Sequence, residues 1–242
     1  MENFRYADIR QDKPKKGGSS LDALRQLIII AGHSGSGKTE FAVNLALALA
    51  RQEPVTLVDL DIINPYFCSR ERQALLEEAG IELISPASSS RMADLPALPA
   101  EVARIFTAKR RAILDLGGDR DGARILGRYR PQLDAASPDL WLVLNANRPR
   151  TAQVCDALAL LREIEAACQR RCTGIVNNTH LCERTRPEDL LAGAALAEAV
   201  GQAAGVPVIC HVATAGILSQ IPPQVLAGTR FPIEIRMKKP WE

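Results

Sequence analysis

Short apolar runs bounded by Gly, Pro and polar residues alternate along the chain with longer stretches in which apolar residues return at helical spacing. Residues 27–31, 54–61, 81–86, 111–116, 140–145, 173–179 and 206–212 are compact, β-rich runs of the first kind and predict strands. Residues 40–51, 69–80, 100–108, 151–169 and 187–204 are of the second kind and predict helices. Parallel neighbours need a crossover segment, so this alternation predicts an α/β fold: a mostly parallel sheet with helices on both faces. In such sheets ligands sit beyond the C-terminal strand ends. The stretch 231–239 alternates apolar and polar residues and predicts one more strand, although its prolines interrupt it.

The first 20 residues are polar and of mixed charge, closing on Lys-Pro-Lys-Lys-Gly-Gly-Ser-Ser. They carry too little apolar area to offset ordering entropy, which predicts a flexible arm over 1–20 and one domain over 21–242. The Ser- and Pro-containing stretch 88–99 predicts a loop.

Directly after the run 27–31 the chain reads Gly32-His33-Ser34-Gly35-Ser36-Gly37-Lys38-Thr39, a G-x-x-x-x-G-K-T pattern leading into the helix that begins near Glu40. Glycines let backbone N–H groups curl around phosphate oxygens, Lys38 reaches the outer phosphates, and the Thr39 hydroxyl is a Mg²⁺ ligand. The positive end of the helix faces the same place. A Gly/Ser-rich turn with a surface lysine would leave the order Gly37, Lys38, Thr39 unexplained.

Two further strands end in acid. The run 54–61 closes on Asp59 and Asp61, and the run 111–116 carries Asp115 ahead of Gly117 and Gly118. Carboxylates there suit water-mediated Mg²⁺ binding and orientation of an attacking water, while either member of the first pair could also cap the next turn. The loop 62–67, hydrophobic and beside the phosphate site, is a candidate switch or partner surface, or simply packs on the sheet.

Composition narrows the setting. The chain has 242 residues, 47% of them hydrophobic, and a net charge of +2, too balanced for bulk attraction to nucleic acid or an anionic membrane. No run approaches a membrane span, and the N-terminus lacks a signal-peptide core, which predicts a cytoplasmic protein. The six cysteines are expected to be reduced thiols; Cys168 and Cys172, four apart, lack the tighter paired spacing of zinc sites.

Taken together, the P-loop, the Val58-Asp59-Leu60-Asp61 segment and the Asp115 strand resemble the MinD/ParA/CobQ-type proteins, SIMIBI-class members of the P-loop NTPases, over roughly residues 27–212. The resemblance implies a P-loop NTPase three-layer sandwich, ATP and Mg²⁺ as cofactors, and phosphate binding through residues 32–40. By the same resemblance Lys38 and Asp61 are catalytic, Thr39, Asp59 and Asp115 serve magnesium, and Asn177 contacts the base. Many members carry a signature lysine that reaches across a dimer, and His33 stands at that position here; a neutral imidazole supplies no fixed charge. Arg120, Arg148 or Arg150 are candidates to replace it. Guanine-specific P-loop proteins use N-K-x-D, and Asn177-Asn178-Thr179-His180 has neither the lysine nor the aspartate, which favours ATP. The expected function is a slowly hydrolysing ATP switch with an ATP-dependent homodimer and a protein partner, with no membrane or DNA role. The alternatives are an ATP-dependent group-transfer enzyme, either a small-molecule kinase or a cobyrinate-synthase-like ligase, and a nucleotide-binding interaction protein without turnover.

Overall fold

The computed structural model describes residues 25–61, 68–85, 101–118 and 125–237. The expected arm at 1–20, the loop 62–67, the stretch 88–99 and Arg120 lie outside them. In chain order β1 (Leu27–Ala31) leads through the P-loop into α1 (Lys38–Ala50), then β2 (Val55–Leu60), α2 (Gln73–Glu78), β3 (Glu82–Ile84) and α3 (Glu101–Arg104). There follow β4 (Arg111–Leu116), α4 (Arg130–Ala136), β5 (Asp139–Leu144), α5 (Val154–Cys168) and β6 (Gly174–Asn177). The chain continues through α6 (Pro187–Ala204), β7 (Val208–Thr214), α7 (Ala215–Leu218) and β8 (Arg230–Ile233).

Among the described residues the strands form one eight-stranded sheet in the order β3-β2-β4-β1-β5-β6-β7-β8. Every neighbouring pair is parallel. β1 is central, and the chain winds to opposite sides of it, so a crevice opens at its C-terminal end where the winding reverses. Period-two alternation sends Ile28 and Ile30 to one face, against Phe41, Leu45 and Trp141. Leu27, Ile29 and Ala31 go to the other, in a layer with Leu114, Leu126 and Leu140. Both faces of β1 are therefore buried, which is why it reads as an unbroken apolar run rather than an alternating one.

Two of the expected helices are shorter than the pattern predicts. Residues 69–80 divide into a 3-10 turn over Ser69–Arg72 and then α2, and of 100–108 only α3 is helical before the chain turns toward β4. The last strand is also corrected. β8 ends at Ile233, after which the chain leaves the sheet edge and lies along α1. There Asn44 acts as a substitute strand: its Nδ2 donates to the Glu234 carbonyl and its Oδ1 accepts from the Glu234 N–H, both at 3.0 Å. Met237 packs on the same core as Phe41 and Phe231. This cover explains why a polar residue at the middle of α1 is buried, and why α1 is buried on more than the one face a surface helix presents.

Asn44→Ala leaves both Glu234 backbone groups without their partner. A loss of about 2 kcal/mol is expected from unpaired, partly buried groups. Urea unfolding of the variant should show a lowered midpoint, and an unchanged midpoint would show that the Glu234 contact contributes nothing.

Candidate functional site

The P-loop is held from two sides. Gly37, the residue before α1, has φ +81°, in the left-handed region that glycine enters without strain. Space demands glycine as well, because a Cβ there would lie 2.3 Å from Asn178 Nδ2. That amide, at the end of β6, donates to the Ser36 carbonyl at 2.8 Å and to the Gly37 carbonyl at 3.3 Å. Inside the loop, the His33 carbonyl accepts from the Ser36 N–H at 3.1 Å and from the buried Lys38 ammonium at 3.3 Å. A cation and an inward N–H thus converge on one oxygen, an arrangement suited to a phosphate oxygen. The first N–H groups of α1 have no intrahelical acceptors and add to the same anion-binding potential.

Opposite the loop, parallel pairing of β2 with β4 sets Asp59 directly beside Asp115. Asp115 is fully buried, and burial, followed by the neighbouring Asp59 charge, pushes its carboxyl up to about 7. The Lys38 ammonium and the Thr39 and Ser69 hydroxyls oppose that shift. Its Oδ2 accepts from Ser69 Oγ at 2.9 Å, and its Oδ1 is buried without a hydrogen-bond partner. Asp59 is also raised by burial, checked first by Arg70, whose guanidinium bonds Asp59 Oδ2 and the Asp61 carbonyl, each at 3.1 Å. Asp59 Oδ1 accepts from the Asp61 N–H at 3.0 Å. Asp61 faces the exit of β4, where a Cβ on Gly117 would come within 3.2 Å of its Oδ1. The next residue, Gly118, runs against the P-loop so closely that a Cβ would sit 2.7 Å from the Ser34 nitrogen.

An orphaned carboxylate oxygen beside a P-loop threonine fits Mg²⁺. No cluster of three or more His, Cys, Asp or Glu side chains arranged to hold a metal occurs among the described residues. Mg²⁺ is commonly held by one or two carboxylates, water and substrate phosphate instead of a protein cage. Cys168 and Cys172 are buried thiols, pushed up by burial to about 12 and about 11.

Other sequence-predicted residues take different places. Glu40 turns its carboxylate to the C-terminal segment, accepting from the Arg236 N–H at 2.8 Å and the Met237 N–H at 3.1 Å. Asn177 is fully buried, its Nδ2 donating to the Leu190 carbonyl and meeting His211 Nδ1, and its Oδ1 accepting from the Thr179 N–H and hydroxyl. The neighbouring Asn178 is the one that touches the loop. His33 is held below its ordinary value by burial and then by the charges of Arg150, Lys38 and Arg148. Sequence reasoning did not assign the contacts of Ser69 and Arg70 with the strand acids, nor that of Asn178 with the P-loop. Ser69 and Arg70 stand soon after the acidic strand, the one local signal that could have found those contacts.

A P-loop at the end of the central strand of a parallel sheet, with two acids paired across the adjacent strands, defines the class: a P-loop nucleotide-binding domain. Residues 27–185 match the CobQ/CobB/MinD/ParA nucleotide binding domain, and the chain belongs to that family. Among solved structures it resembles the cell division protein FtsY of Thermotoga maritima, with TM-score 0.55 and 19% identity over 75% of this chain and 59% of that one. Chloroplast FtsY of Physcomitrella patens gives TM-score 0.53 and 18% identity over 84% of this chain and 63% of that one. The signal recognition particle 54 kDa protein of Aeropyrum pernix, solved with GDP, gives 0.50 and 24% over 76% and 40%. The chain therefore spans less than two thirds of these proteins, and at such identities the likeness is one of fold. No curated protein sequence matches it. No helix among the described residues is long and apolar enough to cross a membrane.

Proposed function

We propose that this chain binds ATP with Mg²⁺ and hydrolyses it slowly, as a switch whose nucleotide state is read by a protein partner and by a second copy of itself. The observation that carries the reading is the fully buried Asp115, with its unpartnered Oδ1, set beside Asp59 and opposite Lys38 and Thr39. Lys38 and the loop N–H groups hold the phosphates; Thr39 and Asp115, with Asp59 behind them, hold the cation; Asp61 orients water toward the outer phosphate. Bound Mg²⁺ supplies neutralisation of phosphate charge. Ser69 and Arg70 contact Asp115 and Asp59 from one short turn, so they report to the rest of the chain whether those acids are engaged.

Adenine is favoured because the segment after β6 lacks the carboxylate that pairs with guanine: Asn178 braces the P-loop and His180 follows. The test is phosphate release from ATP and from GTP with Mg²⁺, with light scattering on the same samples. Slow turnover of ATP accompanied by an ATP-dependent rise in mass is expected. Preferential turnover of GTP would overturn the adenine assignment, and binding of neither nucleotide would overturn the whole reading.

A further inference from the structure

The loop between β5 and α5 reaches the P-loop from the same chain. It is fixed to the sheet ends: the Arg148 N–H donates to the Asn145 carbonyl at 3.0 Å, the Ala146 N–H to Thr179 Oγ1 at 3.0 Å, and Thr151 Oγ1 to the Asn145 carbonyl at 2.6 Å. From this base Arg148 extends over Gly35, and its Nε donates to the Gly35 carbonyl at 2.9 Å. The guanidinium lies against the glycine itself, since a Cβ on Gly35 would be 3.0 Å from both Nε and Cζ and 3.2 Å from Nη2. Any side chain at position 35 would displace the arginine.

The bond has a geometric consequence. In a trans peptide the C=O and the following N–H point in opposite directions. Holding the Gly35 carbonyl toward Arg148 therefore turns the Ser36 N–H inward, where it meets the same oxygen that the Lys38 ammonium meets. Arg148 thus fixes the direction of one N–H of the loop and adds a positive charge that is always present. The same charge bears on His33 and on His180, whose imidazole is pushed down to about 4, first by burial and then by Arg148. A neutral histidine at position 33 is thus what this neighbourhood of Lys38, Arg148 and Arg150 favours.

We infer that Arg148 is a positioning residue of the nucleotide site, an arginine in cis that clamps Gly35, aims the Ser36 N–H and supplies fixed charge toward a nucleoside triphosphate. This rests on the nucleotide-binding reading above. The guanidinium fork is essential to it, because Nε serves the carbonyl while Nη2 remains beside Gly35, and a lysine has no such second arm.

The test compares wild type, Arg148→Gln, Arg148→Lys and Arg171→Gln. The last is a control, because Arg171 is 91% exposed in its pair with Glu165 and precedes β6, at the end of the strand remote from the P-loop. Binding of fluorescent ATP and AMP analogues is measured, with thermal melting of the nucleotide-free proteins. Arg148→Gln should weaken ATP binding by about tenfold or more, the scale of one hydrogen bond involving a charged group, while AMP affinity and melting change little. Arg148→Lys should fall between wild type and Arg148→Gln, and Arg171→Gln should match wild type. Wild-type ATP affinity in Arg148→Gln overturns the inference and leaves the nucleotide reading standing, as does an equal loss for ATP and AMP. If Arg148→Gln melts early, Arg148→Lys decides: folded with wild-type affinity, it too overturns the inference. A wild-type protein that binds no nucleotide overturns both.

Discussion

Lys38→Ala is expected to weaken nucleoside triphosphate binding by about 100-fold, on the order of 3 kcal/mol for charge-assisted contacts made in a shielded loop. Turnover should fall with it. The ammonium is buried, and within the protein it has the His33 carbonyl as acceptor and the Asp115 carboxyl as a nearby opposite charge. Its removal therefore takes away a cation whose burial already carries a desolvation cost, and Asp115, which the lysine helps to keep charged, shifts further toward its neutral form. The nucleotide-free protein should for that reason lose little stability, within roughly 1 kcal/mol, so a binding defect is separable from unfolding. Calorimetric titration with ATP and Mg²⁺, beside a melting curve, checks both parts. Tight ATP binding by the variant would mean that the loop does not use this lysine.

Asp115 should make both metal affinity and stability depend on pH, in opposite senses. Its folded-state value near 7 lies above the ordinary 3.8, so the folded chain retains a proton that the unfolded chain releases. Between about pH 4 and pH 7 the nucleotide-free protein should therefore lose stability as pH rises, and level off above. Asp59, raised in the same direction, adds to that slope. Metal binding needs the charged carboxylate, so Mg²⁺ affinity should rise with pH through 7 and plateau, with proton release on binding. Asp115→Asn keeps the shape and removes the titration. It should flatten most of the stability slope, stabilise the nucleotide-free protein above pH 7, and reduce Mg²⁺-dependent turnover by about 100-fold or more. Unfolding curves across this pH range, together with Mg²⁺ titrations of turnover, give the answer. An unchanged slope would mean that Asp115 does not titrate there; unchanged Mg²⁺ dependence would remove it from the cation site.

The sequence by itself determined the parts that are local. The spelling of residues 32–39, the apolar run before them and the helix after them are contiguous, and backbone preferences over a few residues suffice to form a phosphate-sized loop. Buried strands of a parallel sheet are apolar on both faces, so they announced themselves as runs, and their acidic ends could be read without knowing their neighbours. The same locality misled where tertiary contact overrode it. Residues 234–237 continue an alternating pattern, yet they leave the sheet because Asn44 and Glu40 offer side-chain partners that match backbone donors and acceptors.

Tertiary structure alone decided what meets what. Asp59 and Asp115 are 56 positions apart (115 − 59) and become neighbours because β4 inserts between β2 and β1, an order that hydrophobic pattern does not encode. Arg148 reaches Gly35, and Asn178 reaches Ser36 and Gly37, because β5 lies next to the P-loop strand and β6 next to β5; the sequence offered Arg148 as a candidate charge but carried no sign of these contacts. Elevation of the Asp115 carboxyl likewise comes from complete burial, a property of the folded layers. Local chemistry names the phosphate loop. Long-range packing chooses the groups that brace it, charge it and face it.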